Sequence, residues 1–214
     1  MTTVVEFTVV ASPDAWRSAG FTVGEDRVVR IGDVEVRLIE EDSERGGGIT
    51  GWALVDAPDP HVIDLDGMHT AHIFERSALA EGVPEPHANT VTTIDHVVVQ
   101  TKDLERTCAA IEAATGAPLR RVREVGTLRQ GFHRLGELIV EVVTHPGVVV
   151  DRAEFWGLAF NVADIDVAFA LCGEAVMSQP KDAVQPGRRI ASFREGASLG
   201  TPVALMTPHV HPPS

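Results

Sequence analysis

A chain of 214 residues, 44% hydrophobic and 23% charged, can bury one sizeable core or two small ones and has an ordinary globular composition. Its formal net charge of −13 argues against a nucleic-acid partner, which needs a basic stripe to meet phosphate. The opening "MTTVVEFTVV" has no basic stretch ahead of its apolar residues, no apolar run approaches the roughly 18 residues of a membrane span, and two cysteines suggest neither a disulfide scaffold nor a thiolate metal site, so a cytoplasmic protein without a membrane partner is expected.

From the amino terminus, "VVEFTVVAS" reads as a strand, "PDAWRSAG" as a short helix, and "FTVGE", "DRVVRIG" and "VEVRLIEE" as strands. After a Gly-rich loop, "GITGWALVD" reads as the remains of a fourth copy of the unit that repeats after residue 90, and residues 68–90 read as a connecting helix followed by a Pro-containing linker. A boundary near residue 90 makes residues 1–90 a shortened, degenerate region ahead of residues 91–214.

Beyond it, "IDHVVVQT" is an apolar strand, and "KDLERTCAAIEAATG" places Leu104, Cys108, Ile111 and Ala114 at helical spacing before Gly116 stops the helix. Three short alternating runs, "APLRRVREV", "TLRQGFHRL" and "ELIVEVVTH", complete a βαβββ unit over residues 91–146. The order restarts in "FWGLAFNV", "ADIDVAFALCG", "RRIASFRE" and "TPVALMTP", over residues 153–208. His96 precedes Asp103 by seven positions, Gly157 precedes Asp164 by seven, and Phe7 precedes Asp14 by seven, so the second unit is a duplicate of the first and the amino-terminal region a weaker copy.

The stretches "IDHVVVQTKDLERTCAAIEAATG", "LGELIVEVV" and "WGLAFNVADIDVAFAL" resemble the vicinal oxygen chelate superfamily, whose members include glyoxalase I, extradiol dioxygenases, fosfomycin resistance proteins and bleomycin-binding proteins. The resemblance implies an α+β fold in which repeated βαβββ modules form curved mixed sheets around a cavity. In metal-dependent members the ligands stand on the first and fourth strands of each module, and His96 and Glu141 match those positions in one module. The same mapping lands on Gly157 and Ala204 in the next module, and on Phe7 and Arg37 in the amino-terminal one, so half of the expected ligand set has no donor.

Strand alternation independently puts His96, Val98 and Gln100 on one face of the first strand, and Ile139, Glu141 and Val143 on one face of the fourth. His96 is then either a metal ligand or a hydrogen-bonded pocket residue. Glu141, in the apolar run "LIVEVV", needs a cation, a donor or a proton, which suits a ligand, a general base or a paired wall residue. His133 is the nearest further ligand candidate, although a bulge at Gly131 would turn it away. Arg121 and Arg123 share a face and can hold a carboxylate or phosphate if that face lines the cavity. Gln185 and Arg188, around the Pro186–Gly187 turn, are candidate ligand contacts on a closing loop.

Two functional expectations follow from the residues and the resemblance. One is a glyoxalase-like or bleomycin-resistance-like protein that binds a small anionic or aromatic molecule without a complete metal site. The other is a metal-dependent isomerase, lyase or dioxygenase using His96 and Glu141 to hold zinc, iron, nickel or manganese. A monomer and a homodimer are both compatible with tandem modules.

Overall fold

The computed structural model describes residues 1–40, 47–73 and 86–209. Strand β1 (Thr3–Val10) leads into helix α1 (Pro13–Ser18), then β2 (Val28–Ile31), β3 (Val34–Ile39), β4 (Gly48–Val55), β5 (Asp64–Leu65) and β6 (Met68–His72). The second half runs β7 (Val91–Gln100), α2 (Leu104–Thr115), β8 (Arg121–Val125), β9 (Leu128–Leu135), β10 (Leu138–Thr144), β11 (Glu154–Val162), α3 (Ile165–Cys172), β12 (Lys181–Asp182), β13 (Arg189–Ser192) and β14 (Val203–Met206). No helix among the described residues is long and apolar enough to cross a membrane.

The two βαβββ units of the second half join into one eight-stranded sheet, in the order β12-β13-β14-β11-β7-β10-β9-β8. Within each unit the first and fourth strands are parallel neighbours, β7 with β10 and β11 with β14, while β7 and β11 meet antiparallel at the centre. Both helices start where an aspartate caps exposed backbone N–H groups: Asp103 accepts from the Arg106 amide, and Asp164 from the amides of Asp166 and Val167. Gly116 ends α2 at φ 69°, a left-handed conformation open to a residue without a Cβ.

The amino-terminal region forms its own six-stranded sheet, β2-β3-β1-β4-β6-β5. It twice pairs the first strand of a unit in parallel with the last, here the third, β1 with β3 and β4 with β6. "FTVGE" does not form a strand. Phe21 is instead a plug, buried against Trp16 and Phe160, and the chain turns at Gly24–Arg27. Nor does a helix begin at residue 68: Met68 and Thr70 are buried and His69 and Ala71 exposed, a strand alternation, and Thr70 accepts a 2.8 Å hydrogen bond from the Trp52 indole. The rest of that expected helix, at residues 74–85, lies outside the described residues. Helix α1 is capped by Ser12 rather than Asp14, which removes the seven-residue match to Phe7. Phe7 lies in the core against Trp52 and Phe155.

One contiguous apolar core joins the two halves, with Trp16, Phe7 and Trp52 of the first meeting Phe160 and Phe155 of the second. This core lies on the helix side of the eight-stranded sheet. The opposite face of the sheet is therefore free to carry polar side chains.

Candidate functional site

Which side chains reach that open face is decided by strand register. Gly131 lies so close to α2 that a Cβ there would come within 2.7 Å of the Cys108 sulfur, so Gly131 and its face-mates Val142, Val140 and His133 look toward the helix. The alternate residues look away from it: Gln130 and Phe132 on β9, Ile139, Glu141 and Val143 on β10, and His96, Val98 and Gln100 on β7. Arg121 pairs with Phe132 and Arg123 with Gln130, so both arginines share the open face.

A bulge gives this face its polar centre. Ala159 stands opposite His96 and Phe160 opposite Ile94, which leaves Asp95 as an extra residue on β7 and turns its side chain toward that of His96. Asp95 Oδ2 lies 2.7 Å from His96 Nδ1, and its Oδ1 accepts from Arg188 Nη2 at 2.8 Å. On the other side of the ring, His96 Nε2 is 3.6 Å from Glu141 Oε2. Glu141 in turn accepts a hydrogen bond from the Gln130 side-chain amide. Burial pushes the Asp95 carboxyl up, but the hydrogen bonds and charges of His96 and Arg188 outweigh it and hold the group at about 2. Asp95 is thus an anion, and Arg188–Asp95–His96–Glu141–Gln130 is one continuous polar chain across the sheet.

Sequence reasoning missed Asp95 because regular alternation puts it on the core side of β7. Only the bulge reverses it, and nothing in "TTIDHVVV" announces one. Arg188 was expected as a ligand contact on a closing loop. It is instead 1% exposed, and besides Asp95 it donates to Thr207 O at 2.7 Å and Asn161 Oδ1 at 2.9 Å and meets His209 Nε2 at 3.2 Å. Its guanidinium is a buried clamp. His133, the expected third ligand, is also placed elsewhere: it is 1% exposed on the helix side, its Nδ1 2.9 Å from Ala117 O, and burial pushes its imidazole toward the neutral form. Gln185 is half-buried, and its carbonyl accepts from the Arg188 amide to close the turn.

The donors present do not make a metal centre by themselves. With Asp95 engaged by Arg188 and by His96 Nδ1, the open face offers one further imidazole nitrogen and one further carboxylate, and among the described residues no three His, Cys, Asp or Glu side chains are placed to hold a metal ion; a catalytic divalent site ordinarily takes three protein donors. Gly157 does not leave ligand space either: a Cβ there would sit 2.6 Å from the Pro202 carbonyl oxygen, so the glycine permits close approach of β14, and no larger residue fits.

Arg121 and Arg123 make no ion pair with any described residue, whereas Arg129, Arg134, Arg152 and Arg189 are each bound to carboxylates. Elsewhere, a cavity of about 750 Å³ lies between α1, the turn before β2 and Ser198–Gly200. Its two arginines are paired, Arg17 with Asp14 at 2.8 Å and Arg27 with Glu40 at 2.7 Å, and Glu25 adds a further carboxylate to its wall. Among the described residues it presents no unpaired cation of the kind found on the open face.

The paired modules, each with parallel first and fourth strands, have the α+β fold that the sequence resemblance implies, and a solved structure shares that fold over nearly the whole chain. A mutant of 4-hydroxymandelate synthase from Streptomyces coelicolor matches 99% of this chain and 94% of its own, at 15% identity and a TM-score of 0.67. Methylmalonyl-CoA epimerase from Mycobacterium tuberculosis matches 56% of this chain and 91% of its own, at 17% identity and a TM-score of 0.48. No protein-family model and no curated protein matches the sequence.

Proposed function

We propose that the protein binds a small carboxylate with an aromatic or apolar body on the open face of the eight-stranded sheet. The observation that carries this reading is one row of side chains: Val98, Glu141, Phe132 and Arg121 stand side by side on β7, β10, β9 and β8. At one end are Arg121 and Arg123, cations without an ion pair among the described residues, at the other the His96–Glu141 pair, and between them an aromatic ring. Neighbouring strands are about 4.8 Å apart, so Glu141 and Arg121 are separated by roughly 10 Å along the sheet, about the length of one ring with a short acidic side chain. The acid group is held by the arginines, the body lies on Phe132, and the far end meets the polar centre. Trp156, 46% exposed at the bulge beside Gly157, extends the apolar surface.

Calorimetric titration with benzoate, 3-phenylpropanoate and hexanoate tests this. Binding of 3-phenylpropanoate is expected to be the tightest of the three, and Arg123→Ala to weaken it roughly tenfold, the worth of one charge-assisted hydrogen bond. Absence of binding by all three, or equal affinity in the variant, contradicts the reading.

A further inference from the structure

The ligand reading leaves unexplained why a fully buried arginine and a buried aspartate stand behind His96. We infer that Arg188 and Asp95 are positioning residues that fix the proton of the neutral His96 ring on Nδ1 and leave Nε2 bare toward the open face, as a general base for a weakly acidic C–H of the bound molecule. The inference rests on the small-molecule reading above and adds a reaction to it.

Three features of the geometry support it. The two nitrogens of His96 face carboxylates at unequal distances, 2.7 Å for Nδ1 to Asp95 and 3.6 Å for Nε2 to Glu141. A neutral ring has one proton, and it stays in the shorter hydrogen bond, so the bare nitrogen is Nε2. Asp95 cannot turn away to accept from elsewhere, because Arg188 holds its other oxygen and is itself held by Thr207, Asn161 and His209. When Nε2 takes up a proton, the resulting imidazolium lies between two carboxylates, with the Asp95 charge already balanced by Arg188 and the Glu141 charge not, so the new cation gains a partner as it forms.

In the step itself the Nε2 lone pair forms the N–H bond, the C–H bond breaks, and its electron pair passes into the group that makes that C–H acidic. Returning the proton to the same or a neighbouring atom restores His96. No redox partner is consumed.

The first test needs no variant. In protein labelled with ¹⁵N-histidine, long-range proton–nitrogen spectra at a pH where the ring is neutral are expected to show His96 protonated on Nδ1; a proton on Nε2 overturns the inference. The second uses 5-nitrobenzisoxazole, an activated aromatic C–H acid whose N–O bond opens to a coloured phenolate when a base removes its proton. Wild-type protein is expected to accelerate that opening, His96→Ala to lose roughly tenfold or more, and Asp95→Asn to lower kcat with little change in KM. Equal rates for wild type and His96→Ala contradict the inference. Binding of 3-phenylpropanoate is read separately, so loss of the base function with binding retained removes only the inference, while loss of binding removes the ligand reading.

Discussion

Asp95 shows at the scale of one residue how a buried charge is made tolerable. Its carboxyl, held at about 2 against an ordinary 3.8, is lowered in the folded state, so its contribution is present above pH 4 and disappears as the pH falls through 2. The difference corresponds to about 2 kcal/mol. Asp95→Asn removes that contribution and leaves Arg188 as a buried cation with its carboxylate gone, so a loss of roughly 3 kcal/mol at pH 7 is expected from urea unfolding. The gap between variant and wild type is expected to narrow when the same measurement is made at pH 3.5 and below. A gap independent of pH would place the effect in packing rather than in the charge. None of this was visible in the sequence, where Asp95 reads as one more polar residue at the edge of a strand.

At the scale of elements, the strands and helices of the second half were legible because each carries a full signal: two-residue alternation, an aspartate cap and a terminating glycine. Faces were legible too. The sharing of one face by Arg121 and Arg123, and by His96 and Gln100, needs only the period of a strand, and the register of β7 to β10 adds which face it is. What failed was His133, whose side depends on where β9 sits against α2. That contact is made through Gly131 and Cys108, residues with no pattern of their own. The two histidines therefore give a direct comparison: His133→Gln is expected to leave 3-phenylpropanoate affinity unchanged, and His96→Gln to weaken it several-fold, measured by the same titration. Gly157→Ala is expected to cost roughly 1–3 kcal/mol, because the added methyl meets a backbone carbonyl that cannot rotate away.

Across the whole molecule, residues 1–90 have the sequence of a shortened, degenerate region, and they do depart from the repeat: α1 starts from a different cap, and the β4–β6 unit has no helix between its strands. The structure nonetheless ties it into the core. Asp66 receives Arg106 Nε at 2.9 Å and the Thr107 hydroxyl, Asp64 binds Arg152 through two hydrogen bonds of 2.6 and 2.9 Å, and the Trp16 indole donates to Leu199 O at 3.2 Å. Long-range ties of this kind have no sequence signature, since each depends on two folded halves meeting. A single thermal transition is expected by calorimetry, and Asp66→Ala is expected to lower its midpoint by several degrees without splitting it.

The measurement that bears most directly on the account is a map of backbone amide shifts in ¹⁵N-labelled protein titrated with 3-phenylpropanoate. Shifts concentrated on Val98–Gln100, Arg121–Arg123, Gln130–Phe132 and Glu141 are the predicted result. Shifts centred instead on Ala11–Arg17 and Ser198–Gly200, around the 750 Å³ cavity, would contradict it.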